Sequence, residues 1–126
     1  MKDFYGHLFH RSRYRIKTIA ESYAVSEDDN GSLITVTAVA TVTLPAPSHV
    51  YKGMWVKIVN AANSALTIAS GTADTLVVFN DVAADSAAFS TTSEMIGAAV
   101  EAVCDGTLWY LLPMVWDTQT ATIVTA

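Results

Sequence analysis

Three histidines, one cysteine and twelve acidic residues are the groups in this 126-residue chain most able to hold a metal ion or attack a substrate. Their spacing completes no known set. His7 and His10 stand at H-x-x-H spacing, two of the three or four ligands a zinc ion requires, and the nearby acids Asp3 and Glu21 do not complete it. Hydrogen bonding or stacking at a contact is the expected use of both. Asp74, Asp81 and Asp85 lack the alternate-position spacing and closing glutamate of a calcium loop. Glu27-Asp28-Asp29 reads as a cation site or as a charged hairpin tip that blocks edge pairing, and the second is the commoner use. His49 follows a proline pair with no nucleophile at a fixed distance, and a Ser-His-Asp set can be drawn from any chain this rich in Ser and Asp. Cys104 is single, so it makes neither an internal disulfide nor a C-x-x-C pair and is expected as a small buried residue in a strand. The glycines are dispersed singly, which leaves no loop to cradle a phosphate. No catalytic residue, metal or cofactor is assigned, and the chain is read as a protein that is not an enzyme.

Charge is distributed with more purpose. Residues 1 to 17 carry Lys2, Arg11, Arg13, Arg15 and Lys17 against Asp3, a balance of +4. Beyond them eleven acids face only Lys52 and Lys57, which leaves −9 on the remainder. From Arg11 to Lys17 the basic residues fall on every second position, so an extended chain puts all four charges on one side. The other phase offers Ser12, Tyr14 and Ile16, and Phe4, Tyr5, Leu8 and Phe9 precede it, too many apolar groups for a freely solvated tail. Residues 1–22 are therefore read as an extended N-terminal arm that grips another protein, and residues 23–126 as the body. The contact residues expected on the arm are Phe4, Tyr5, Phe9, Arg11, Arg13, Tyr14, Arg15 and Lys17. An acidic body disfavours broad contact with nucleic acid or an anionic membrane.

At this length one domain is expected, with enough core to fold without disulfides. A hydrophobic fraction of 52% beside 15% charged residues is high for a small monomer, which implies surface shared with partners. No stretch approaches the roughly 18 uncharged apolar residues of a spanning helix, and the first residues lack a signal peptide's apolar centre, so synthesis in a cytoplasm is expected.

The elements that must position these groups read as strands. Runs of Val, Ile, Thr, Ala and aromatics are broken by Asn, Asp, Gly and Pro, while helical periodicity is scarce. A hairpin is expected between Tyr23–Ser26 and the strand after Asn30-Gly31. Leu33 to Leu44 alternates as one long strand with Ile34, Val36, Ala38, Ala40, Val42 and Leu44 on one side. Met54–Val59, Ala65–Ala69 and Leu76–Phe79 follow as strands, and residues 80–88 are read as a surface loop. Ile96–Cys104 meets Thr107–Leu112 across Asp105-Gly106, with Pro113 ending the hairpin. The tail from Thr120 reads as a last strand, internal or exchanged. The fold class expected is all-β, an antiparallel β-sandwich or barrel of about seven or eight short strands. In the last hairpin Trp109 and Leu111 share one face, Tyr110 and Leu112 the other. That strand is then covered twice, by a second sheet or by a neighbouring subunit.

The order Leu44-Pro45-Ala46, Gly53, Val56-Lys57-Ile58-Val59-Asn60, Leu66-Thr67-Ile68, Gly97 and Asp105-Gly106-Thr107-Leu108-Trp109-Tyr110 resembles small β domains of tailed-bacteriophage virion proteins, both decoration proteins and fibre modules. The resemblance spans about residues 23 to 112 and transfers no catalytic residue. It implies a structural virion component, often trimeric, attached to a capsid shell or a tail. The function expected is a capsid decoration (cement) protein, made in the host cytoplasm and placed on the capsid surface. Its arm would lie over the major capsid protein or neighbouring virion proteins, in a homo-oligomer with a trimer favoured. Exposed ion pairs contribute about 0.2–1 kcal/mol each and a buried aromatic or Ile roughly 1.5–3 kcal/mol, so the aromatics would hold the arm and the arginines would set register. The alternative is a tail or fibre module that meets a host surface through Tyr51, Trp55 or Trp116.

Overall fold

Alternation of apolar and polar residues sorts the described residues into eleven strands, with no α-helix among them. The computed structural model describes residues 13–89, 95–114 and 122–125. The strands are β1 (Arg15–Ile19), β2 (Tyr23–Ala24), β3 (Ser32–Val36), β4 (Ala40–Leu44), β5 (Trp55–Asn60), β6 (Leu66–Ser70), β7 (Leu76–Val78), β8 (Asp81–Phe89), β9 (Ala99–Cys104), β10 (Trp109–Met114) and β11 (Thr122–Thr125). The first ten form one sheet in the order β1-β3-β5-β9-β10-β7-β8-β6-β4-β2, nearly closed into a barrel, and β11 pairs with β8.

The all-β class stands, and the strand count is higher than the seven or eight expected. The antiparallel expectation needs correcting. Pairings β1–β3, β3–β5, β2–β4, β4–β6 and β7–β10 are parallel. The cause is a coil: from β1 to β6 successive strands alternate between the two halves of the sheet, so each strand meets the one two places earlier, running the same way. A parallel pair needs a long crossover, and here the crossover is a strand of the opposite half rather than a helix. The coil is completed by antiparallel pairs, β5–β9 and β9–β10 in one half, β6–β8 and β7–β8 in the other.

Three further expectations change for the same reason. Leu33 to Leu44 is two strands, since residues 37–39 turn the chain from one half to the other without altering the inward phase. Ile34, Val36, Val42 and Leu44 are accordingly all fully buried. Tyr23–Ala24 makes no hairpin with β3; it pairs with β4, and Glu27–Asp29 forms a short 3-10 turn that carries the chain across. Residues 81–89 are a strand, not a loop. Its alternation is hidden because the register shifts opposite Leu76 and Val78, which moves the inward positions to Ala84, Ala87 and Phe89.

Trp109 is fully buried at the junction of the two halves, paired through its backbone with Cys104 on β9 and Leu76 on β7. Its indole Nε1 donates to the Pro45 carbonyl at 2.7 Å, tying β10 to the end of β4. Cys104 is buried and unpaired, as a strand residue of the inward phase. Pro113 continues β10 rather than ending it, opposite Val100. Past Tyr110 the strand has left β7, so a residue without an N–H is tolerated on that open edge.

Candidate functional site

The segment read as an arm through residue 22 does not extend that far, because from Arg15 the chain is the edge strand of the body's own sheet. Arg15, Lys17 and Ile19 lie opposite Ser32, Ile34 and Val36, the inward phase of β3. On the outermost strand that phase points at the seam between β1 and β2, the two ends of the sheet. Arg15 Nη2 donates to the carbonyls of Asp28 at 2.6 Å and Asn30 at 2.8 Å. Lys17 Nζ donates to the Tyr23 hydroxyl at 2.8 Å and lies 4.3 Å from that ring's centre, and the hydroxyl donates to Asp29 Oδ2 at 2.6 Å. The same Asp29 oxygen accepts from the backbone N–H of Ser26, which explains a carboxylate that is 5% exposed. The Tyr23 hydroxyl, ahead of the nearby carboxylates, holds the Lys17 amine above its ordinary pKa. Two of the four alternating cations thus help to bridge the seam of their own sheet. The acidic turn, read as a hairpin tip, is their acceptor.

The apolar phase faces outward. Phe4, Tyr5, Phe9 and Arg11 lie outside the described residues, as do His7, His10 and Trp116. Tyr14 packs edge-on against Trp55 with ring centres 5.8 Å apart and planes at 76°. Its hydroxyl accepts from Lys57 Nζ, and the same amine lies 4.7 Å from the Tyr14 ring and 5.8 Å from that of Trp55. That hydrogen bond, outweighing desolvation, raises the Lys57 pKa. Arg13 is exposed beside them.

Following the registers from this cluster across β1, β3, β5, β9 and β10 defines one continuous outer face. Trp55, Val103 and Tyr110 form its first row. Ile16, Leu33, Lys57, Glu101 and Leu112 form the second, and Thr18, Thr35, Val59, Ala99 and Met114 the third. Ile16 is 62% exposed, Leu112 and Met114 are each 49% exposed, and Leu33, Trp55, Val59 and Val103 are half-buried. Strand and residue spacings make this patch about 20 Å by about 15 Å, comparable to the largest patch on a typical soluble monomer, which is often functional. The opposite half differs along its paired rows: on β4, β6 and the second half of β8 the outward positions are Thr41, Thr43, Thr67, Ala69, Ser86 and Ala88, with exposed Val82 near the start of β8.

Sequence reasoning singled out Tyr14 and Ile16 on the basic segment, Trp55 for host contact and the outward pair Tyr110 and Leu112, and it did not join them with Leu33, Val59, Val103 and Met114 into one face. The signal was present in β5 and β9, where Trp55, Val59 and Val103 stand on the outward phase on either side of Lys57 and Glu101. Of the residues weighed for host contact, Trp55 lies on this face, and half-buried Tyr51 packs against the core.

The last hairpin holds the end of the face in place. Asp105 to Leu108 form the turn, longer than the two residues expected, with Gly106 at φ +99° where a side chain would be strained. Asp105 Oδ1 accepts from the N–H groups of Leu108 and Thr107, each at 2.8 Å, and Oδ2 accepts from the Tyr110 hydroxyl at 2.9 Å. These donors hold the Asp105 carboxyl below its ordinary 3.8, led by the Leu108 N–H, and the carboxylate in turn raises the Tyr110 phenol. A depressed folded-state pKa gives stability that is complete above the unfolded value and is lost as pH falls through the folded one. Asp105→Asn should therefore lower the thermal midpoint at neutral pH, and the gap to the unmodified protein should close as pH drops below 3.8; parallel melts at pH 7 and in strong acid check it.

Among the described residues no group of three or more His, Cys, Asp or Glu is placed to hold a metal ion. No helix of the described residues is long and apolar enough to cross a membrane. Comparison with protein-family models, curated proteins and solved structures finds no match.

Proposed function

We propose that this chain is a structural assembly protein of a tailed-bacteriophage virion, in the role of a capsid decoration protein, which docks through the outer face of β1, β3, β5, β9 and β10. The observation that carries the reading is the exposed apolar face itself: Ile16, Tyr110, Leu112 and Met114 sit in one patch where a solvated sheet would carry Thr, Lys and Glu. A face of this kind stabilises only when covered. Full burial of such side chains contributes roughly 1.5–3 kcal/mol apiece, less here because each is already partly covered.

The resemblance to phage virion domains supplies the setting. With Arg15 and Lys17 engaged in the seam, aromatic and aliphatic side chains carry the attachment, and orientation falls to Arg13 and the residues before it. Weak contacts repeated by an oligomer give tight attachment. An antibody raised against the purified chain, used to quantify it on particles made from the genome that encodes it, tests the proposal. Hundreds of copies per particle are expected of a shell protein. A handful would move it to the tail, and none would overturn the virion role.

A further inference from the structure

We propose that the first occupant of the apolar face is a second copy of this chain, related by a two-fold axis that runs along the strands between β5 and β9. The inference rests on the assembly reading: the second copy closes the face in solution, and docking on a particle exchanges that copy for the particle surface. Its basis is the arrangement of the two charges in the patch. Lys57 and Glu101 are directly opposite one another on β5 and β9, with Leu33 and Leu112 on either side. The row reads apolar, cation, anion, apolar.

Laying two such faces together about an axis parallel to the strands exchanges β5 with β9 and β3 with β10. Lys57 then covers Glu101 of the second copy, and Leu33 covers Leu112. In the flanking rows Trp55 meets Val103, Val59 meets Ala99, and Thr35 meets Met114. An axis across the strands would instead set Lys57 on Lys57 and Glu101 on Glu101, which like-charge repulsion forbids. A self-complementary patch is what a two-fold interface requires, and aligned packing of two sheets about 10 Å apart is its usual geometry.

Glu101 adds a further reason. Its cation is the cross-strand Lys57, whose amine also donates to the Tyr14 hydroxyl, and the two make no ion pair within 4 Å. Covering them with an apolar foreign surface would desolvate both charges with nothing added in return, an unfavourable outcome. A second copy sets an additional opposite charge over each. The remaining acids of the described residues lie outside the three rows, so two molecules of net charge −5 approach with least repulsion along this face.

Sedimentation equilibrium of the full chain, with Lys57→Glu, Glu101→Lys and an equimolar mixture of the two, tests the axis. The unmodified chain should be a dimer. Each single change alone puts like charges in register across the axis and should raise the dimer dissociation constant at least about tenfold. In the mixture a mixed dimer sets opposite charges across the axis while each chain keeps its own like-charged pair on β5 and β9, and it should form with near the original dissociation constant, a recovery that a folding defect in either variant could not produce. A chain that stays monomeric, a trimer, or a mixture no better than the separate variants would overturn the inference. Particle association of Leu112→Asp separates the two readings. If it is lost while the chain is monomeric in solution, docking through the face stands and the second copy does not. If the charge variants behave as stated and particles lack the chain, the dimer stands and the virion role does not.

Discussion

Trp109→Ala should lower the unfolding free energy by about 3–5 kcal/mol, the range for deleting a large aromatic from a packed core. Trp109 is fully buried, and the strand it opens joins the two halves of the sheet, with Cys104 on one side and Leu76 on the other. Removing the indole empties that junction and leaves the Pro45 carbonyl without its donor. Against a total of about 5–15 kcal/mol for a domain, such a loss takes a large part of the stability. Trp109→Phe weights the second effect, because it removes the N–H with a smaller loss of volume; the unpaired carbonyl should cost about 1–3 kcal/mol. Urea denaturation measures both. A loss below about 1 kcal/mol for the alanine variant would mean that the junction is not where the halves are held together.

Leu112→Ser with Met114→Ser should behave in the opposite way, leaving folding almost unchanged and weakening assembly. Both side chains are 49% exposed on the outer face, so their replacement should shift the unfolding free energy by less than about 1 kcal/mol. Their neighbour Leu111 is 3% exposed on the inward phase of the same strand, and Leu111→Ala should cost about 2–5 kcal/mol. Adjacent positions are thus expected to separate stability from association. The measurements are urea midpoints beside particle binding of the purified variants, where the Leu112 and Met114 pair should lose at least about tenfold in affinity. Unaltered binding would remove the face from the assembly role.

The seam bears on how the basic segment is understood. A run such as Arg11, Arg13, Arg15 and Lys17 specifies that the charges share a side, and β1 confirms that Arg15 and Lys17 do. Which side is a different matter. The inward phase of an interior strand must be apolar, yet on a terminal strand the same phase opens onto the gap between sheet ends, where Asp29, Tyr23 and two backbone carbonyls accept these cations. Tyr14 and Ile16 are left on the outside, where they extend a patch begun by Trp55 and Leu33.

Local chemistry determined a good deal of this protein. Alternation alone identified the inward set Ile34, Val36, Val42 and Leu44, and placed Trp109 and Leu111 opposite Tyr110, because the strand period of two depends on backbone geometry and not on neighbours. Asp105 and Gly106 announced a reversal, since their side-chain acceptor and positive φ are properties of the residues themselves. What alternation does not encode is which strand lies alongside. Pairing is a non-local choice, made where burial of the whole inward set is greatest, and it decided that β1 lies parallel to β3, that β2 crosses to β4, and that Asp81–Phe89 is a strand despite its Ala and Asp. The apolar face is also a tertiary product: its residues come from five strands spread over a hundred positions, and only their registration in one sheet makes scattered outward side chains a single surface.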